Sequence, residues 1–101
     1  MHDAEAFPEI GEIVQFTKGR DAGQHAVVIS ILDERFVLVA DGDKRKYDRP
    51  KRKNINHLLP LSYISREVRK SIEESGRVTN ARLRYAIAAF QSEQSETKEG
   101  E

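Results

Sequence analysis

At 101 residues the chain has room for one domain, or one small domain with an appendage, and none for a cleft between two lobes. It contains no cysteine, which excludes a disulfide framework and thiolate metal sites. Its 17 Lys+Arg balance 17 Asp+Glu, but the charges are segregated: acidic residues gather at both ends, and between Lys44 and Lys53 seven cations face Asp48 alone.

The chain opens on a polar, acidic stretch over residues 1–9, with Asp3, Glu5 and Glu9, that lacks periodicity and is expected to be a flexible tail. Residues 1–12 also lack the basic start and apolar run of a secretory signal. No apolar stretch approaches the length of a bilayer span, so a cytoplasmic protein without a membrane partner is expected. From residue 10 to 61 the pattern is β. Residues 12–17 put Val14 and Phe16 on one face, and residues 26–32 and 36–40 are short apolar runs rich in β-branched side chains. Asp33-Glu34 suits a turn, and Asp41-Gly42 suits a two-residue hairpin turn whose outgoing strand enters the basic block. Pro50 lacks an amide donor and places residues 49–54 in a loop or on a sheet edge. Alternation resumes over 55–61 and would close a small five-stranded barrel.

After Pro60 the period changes to 3.6. Ile64, Val68 and Ile72 recur every four residues, Ser62 or Ser65 can cap the helix start, and Gly76 can end it. A second helix begins near Thr79-Asn80, with Leu83, Ala86, Ile87 and Phe90 on one stripe and Val78 placed for a hydrophobic staple. The two helices form a hairpin over 62–90 that packs on the barrel, and residues 91–101 read as a second acidic flexible tail.

Two stretches invite a chemical reading. In Lys18-Gly19-Arg20-Asp21-Ala22-Gly23 a strand ends and another returns. The two glycines permit a tight, positive-φ path, and Lys18 and Arg20 add charge beside it. Spacing alone leaves two possibilities open: a plain hairpin whose glycines only make the turn, and a phosphate grip. The second stretch is the basic block, Lys44, Arg45, Lys46, Arg49, Lys51, Arg52 and Lys53. Its mutual repulsion costs stability without serving the core, and its mixture of Arg and Lys suits phosphate contacts. Tyr47 either stacks on an unpaired base or anchors its strand. Asn54, Asn56 and His57 either read base edges or satisfy local turns.

The spacing Gly11-x-Ile13-Val14, then Lys18-Gly19-Arg20-Asp21-x-Gly23, then Val27-Val28 resembles the KOW motif of large-subunit ribosomal proteins and transcription elongation factors. The stretch from Val37 through Asp41-Gly42, the run Arg49-Pro50-Lys51-Arg52-Lys53-Asn54-Ile55-Asn56-His57-Leu58, and Val78-Thr79-Asn80-Ala81 extend the likeness. It reaches small bacterial KOW-domain RNA-binding proteins, similar to KOW-type ribosomal proteins, and covers residues 11–90. Ala22 and Gln24 depart from the usual pattern, which places another polar or basic residue beside that glycine.

The resemblance implies a mainly β fold with C-terminal α structure, an SH3-like five-stranded barrel followed by a two-helix hairpin. It implies RNA, ribosomal RNA in particular, as ligand, ribosomal proteins as possible neighbours, and no activity. The expected RNA-binding residues are Lys18, Gly19, Arg20, Gly23, Lys44, Arg45, Lys46, Tyr47, Arg49, Lys51, Arg52, Lys53, Asn54 and His57. The chain is expected to be a monomer away from the ribosome. His2, His25 and His57 are scattered, no nucleophile has an evident base, and no nucleotide loop is present, so neither an enzyme nor a cofactor is expected. The rival readings are a protein-interaction module and a transcription-associated KOW factor.

Overall fold

The computed structural model describes residues 7–99, with side chains as far as 94. Five antiparallel strands form one sheet: β1 Glu12–Phe16, β2 His25–Ile31, β3 Phe36–Ala40, β4 Lys51–Asn54 and β5 Leu58–Ile64, in the order β4-β3-β2-β1-β5. Two helices follow, α1 Arg66–Ser75 and α2 Asn80–Glu99.

Both faces of the sheet are buried, which is why its central strands are nearly continuous apolar runs rather than alternating ones. Val14, Phe16, Ala26, Val28, Val37, Val39 and Leu58 make one cluster. Among the described residues neither α1 nor α2 enters it, and Ile55, between β4 and β5, packs against it, so this face is covered by the sheet's own curvature, as in a barrel. Register shifts between Val28 and Ser30 and between Glu12 and Val14 supply local bends. The opposite face brings Ile13, Val27, Ile29 and Ala40 against Val68, Val78, Leu83, Ala86 and Phe90 of the helical hairpin. Period two in the strands and 3.6 in the helices therefore meet at one seam.

At the β2–β3 turn, Asp33 Oδ1 accepts from the amides of Arg35 and Phe36 at 2.8 and 2.9 Å. Those amide donors, Arg35 first, hold the Asp33 carboxyl below its ordinary range.

Several boundaries differ from expectation. β5 runs through Pro60 to Ile64, and the helix starts at Arg66 rather than at 62. Ile64, which the spacing placed on the helix stripe, pairs with Glu12 instead. β5 is an edge strand, where a proline's missing donor is tolerated. Its continuation is held by buried Glu12, whose carboxylate accepts from the amide of Ser62, at φ 60, and from that of Glu9. Of the two candidate caps, Ser65 serves: its Oγ accepts from Val68 N–H at 3.2 Å, and Gly76 closes the helix in the left-handed conformation.

α2 continues to Glu99, where a tail was expected from Gln91. Propagating an existing helix costs little per residue, and side-chain bonds tie this one down, from Gln91 to His25 and from Tyr63 to Glu93. Of the expected tails, residues 1–6 and 100–101 lie outside the described residues. Within residues 7–9, Pro8 is buried and Glu9 pairs with Arg69 at 3.1 Å.

Asp41-Gly42 does not make a two-residue hairpin turn. Asp41 Oδ1 accepts from the amides of Asp43 and Arg45, and a loop over 41–50 follows before β4 begins beyond Pro50. The loop departs from the sheet because it packs on the start of α2. Tyr47 N–H donates to Asn80 Oδ1 at 2.7 Å, Tyr47 Oη donates to Gly76 O at 2.9 Å, and Arg84 donates to Gly42 O at 2.7 Å. Gly42, at φ +82, lies against the Asn80 carbonyl with no space for a Cβ.

Candidate nucleic-acid interface

The hairpin between β1 and β2 closes by backbone bonds of its own: Ala22 N–H to Gly19 O, Gly23 N–H to Phe16 O and Gln24 N–H to Asp21 O. The amides of 22–24 are therefore engaged inside the turn. Gly19 and Gly23 take φ near +90 with open space around them, so they are needed for the path of the chain rather than for close packing. Cationic side chains, not the amide of Gly23, are what this hairpin offers to an anion.

Facing it is the 41–50 loop. Arg20 from the hairpin, Lys44 and Arg45 from the loop and Lys51 from the start of β4 line one cleft of about 640 Å³, together with Phe16, Asp21, Gln24 and Asp41. Lys44 Nζ reaches Gln24 Oε1 at 3.4 Å and links the two walls. Among the described residues, Arg20, Lys44, Arg45 and Lys51 make no ion pair, and with Asp21 and Asp41 as the cleft's two carboxylates the lining keeps an excess of positive charge.

β4 divides the rest of the block by its two-residue period. Lys51 and Lys53 stand opposite Val39 and Val37, on the side of the inner cluster, and Lys53 Nζ lies 5.2 Å from the centre of the Phe16 ring. Arg52 points to the other side, with its guanidinium 4.4 Å over Phe36. Arg52 therefore does not join the cleft.

Lys46 and Arg49 are exposed on the loop, and Lys18 and Gly19 at the hairpin, and none of the four lines the cleft. Tyr47 packs its ring against the helix-side core and donates its hydroxyl to Gly76 O, the geometry of an anchor. Asn54 Oδ1 accepts from Asn56 N–H at the head of a 3₁₀ turn, Ile55–His57, and His57 O accepts from Thr17 N–H.

Sequence reasoning missed the residues that hold the loop in place, Asn80, Gly76 and Arg84. Asn80 belongs to the Val78-Thr79-Asn80-Ala81 stretch, where the helix start is capped by Thr79 Oγ1 accepting from Arg82 N–H, and its second role leaves no local pattern. It also missed Asp21, Gln24 and Asp41, polar residues of turns that only the fold brings to a common wall.

The chain is 54% identical over 54 residues to the "Putative ribosome-binding protein YbzG" of Bacillus subtilis, a match covering 54% of this chain and 73% of that protein. It is 32% identical over 87 residues to the large ribosomal subunit protein eL14 of Hyperthermus butylicus, covering 78% of this chain and 89% of that one. With the eL14 of Saccharolobus islandicus it shares 38% identity over 76 residues, 67% of this chain and 79% of the relative. No family model matches the chain.

Proposed function

Since the chain belongs to the family of the eL14 large-ribosomal-subunit proteins, we propose that it is a non-catalytic, ribosome-associated RNA-binding protein of the cytoplasm, built on an SH3-like KOW barrel. It grips phosphates of ribosomal RNA between the 17–24 hairpin and the 41–53 segment. The observation that carries this reading is the convergence of Arg20, Lys44, Arg45 and Lys51 on one cleft from separate parts of the chain. Four cations against the carboxylates of Asp21 and Asp41 leave the cleft positive, and RNA supplies phosphates at close intervals.

Lys18, Lys46, Arg49 and Lys53 extend the field around the cleft, and Tyr47, Asn54 and His57 shape the backbone that presents it. Phosphate contacts position the protein and carry little sequence information, so attachment through them is electrostatic and shape-based.

The test is co-sedimentation with ribosomes over a salt series, paired with titration of a ribosomal RNA fragment. If about four phosphates are neutralised, log affinity falls against log salt with a slope of about −3. The double variant Arg45→Gln, Lys51→Gln makes that slope shallower by about 1.5 units and abolishes pelleting at moderate salt. Pelleting that ignores both salt and the double variant would replace this reading with docking on a ribosomal protein.

A further inference from the structure

Two carboxylates stand among the cations of the cleft, where a site made only for phosphate has no use for them. Asp41 is partly engaged, since its Oδ1 already accepts two loop amides. Asp21 is not. Among the described residues its half-buried carboxylate makes neither a hydrogen bond nor an ion pair, although it lies in the same cleft as Arg20, Lys44 and Arg45. It repels an approaching phosphate and attracts a group that presents N–H donors next to one.

An unpaired nucleotide is such a group, because its base edges are uncovered while its phosphates stay within reach of the same cations. The four bases differ in what their Watson–Crick edges show a carboxylate. Guanine offers two adjacent donors, N1–H and the exocyclic amine, which match the two oxygens. Adenine and cytosine place a ring-nitrogen acceptor beside their amine, and uracil has one N–H between two carbonyls. A cleft of about 640 Å³ is within the size range of small-ligand sites, and the guanidinium of Arg20 offers a plane on which a base can stack.

We propose, building on the RNA-binding reading above, that this cleft takes a single unpaired guanine of an RNA loop, its Watson–Crick edge on the Asp21 carboxylate and its flanking phosphates on Lys44, Arg45 and Lys51. The phosphate grip is general; Asp21 makes it selective for one base.

The experiment titrates the full chain with an RNA stem–loop whose loop is all adenine save for one guanine, with the same RNA carrying inosine in place of that guanine, and with the all-adenine loop. The guanine loop binds about tenfold or more tighter than the all-adenine loop, and inosine, which lacks the exocyclic amine, falls between them. Asp21→Asn, which presents one acceptor and one donor in place of two acceptors, brings the guanine-to-adenine ratio close to one. It leaves the thermal midpoint in place and the affinity for the all-adenine loop equal or higher. Equal binding of guanine and adenine loops, with a steep salt slope, overturns the guanine site and leaves the phosphate grip standing. Failure of every stem–loop to bind at low salt overturns both.

Discussion

Gly42 illustrates how a single position can serve the fold and the cleft together. Its φ of +82 is open to glycine, and a Cβ there would run into the Asn80 carbonyl and come to 3.0 Å from the Arg84 side chain. Gly42→Ala therefore combines left-handed strain with a collision against a helix that cannot easily yield. The expected loss is about 3 kcal/mol, read as a lower denaturant midpoint, together with weaker RNA binding as the loop is pushed off α2. Gly19→Ala meets only the strain, since nothing lies within 4 Å of its would-be Cβ, and about 1 kcal/mol is expected. Equal losses for the two variants would mean that the contact between the loop and Asn80 contributes nothing to stability.

At the scale of elements, β4 separates the basic block into two groups that composition cannot distinguish. Lys51→Gln removes a cleft cation and makes the salt slope shallower by about one unit, with little effect on folding. Arg52→Gln acts the other way: RNA affinity at a given salt stays near wild type, and stability falls by about 0.5–1 kcal/mol as the guanidinium leaves the Phe36 ring. A matched drop in RNA affinity for both would place Arg52 in the interface. The cations themselves were plain in the sequence, and so were the first three strands, expected over 12–17, 26–32 and 36–40 and found within one residue of those bounds, because the period of apolar residues is a local signal. What the sequence hid was non-local. The end of β5 at Ile64 depends on pairing with Glu12, fifty residues away in the case of the Ser62 bond. The fate of the 41–50 loop depends on Asn80 and Arg84, which no window around the loop contains.

For the molecule as a whole, the seam between sheet and α2 includes a histidine, His25. His25 Nδ1 lies 3.1 Å from Gln91 Nε2, and its ring meets Phe90 edge-on at 5.3 Å. Partial burial lowers its pKa from the ordinary 6.5, so in the window below 6.5 the unfolded chain binds more protons than the folded one. Stability from this site is complete above that value and is lost as pH falls from 6.5 through the folded pKa. A urea midpoint measured at about pH 7.5 and again at about pH 5.5 should drop for the wild type by more than for His25→Gln, which keeps a polar side chain but cannot charge. A drop of the same size in both proteins would assign the pH dependence to other groups.

The dependence of the basic loop on α2 also has a meaning in the order of synthesis. Tyr47 is made 33 residues before the Asn80 that receives its amide, and Gly42 is made 42 residues before the Arg84 that holds its carbonyl. While the chain grows, the segment with the densest positive charge emerges beside an RNA-rich surface without the buttress that fixes its shape. On the RNA-binding reading proposed above, a grip that closes only when α2 is in place keeps a growing chain from clamping the nearest phosphates before Asn80 and Arg84 have been made.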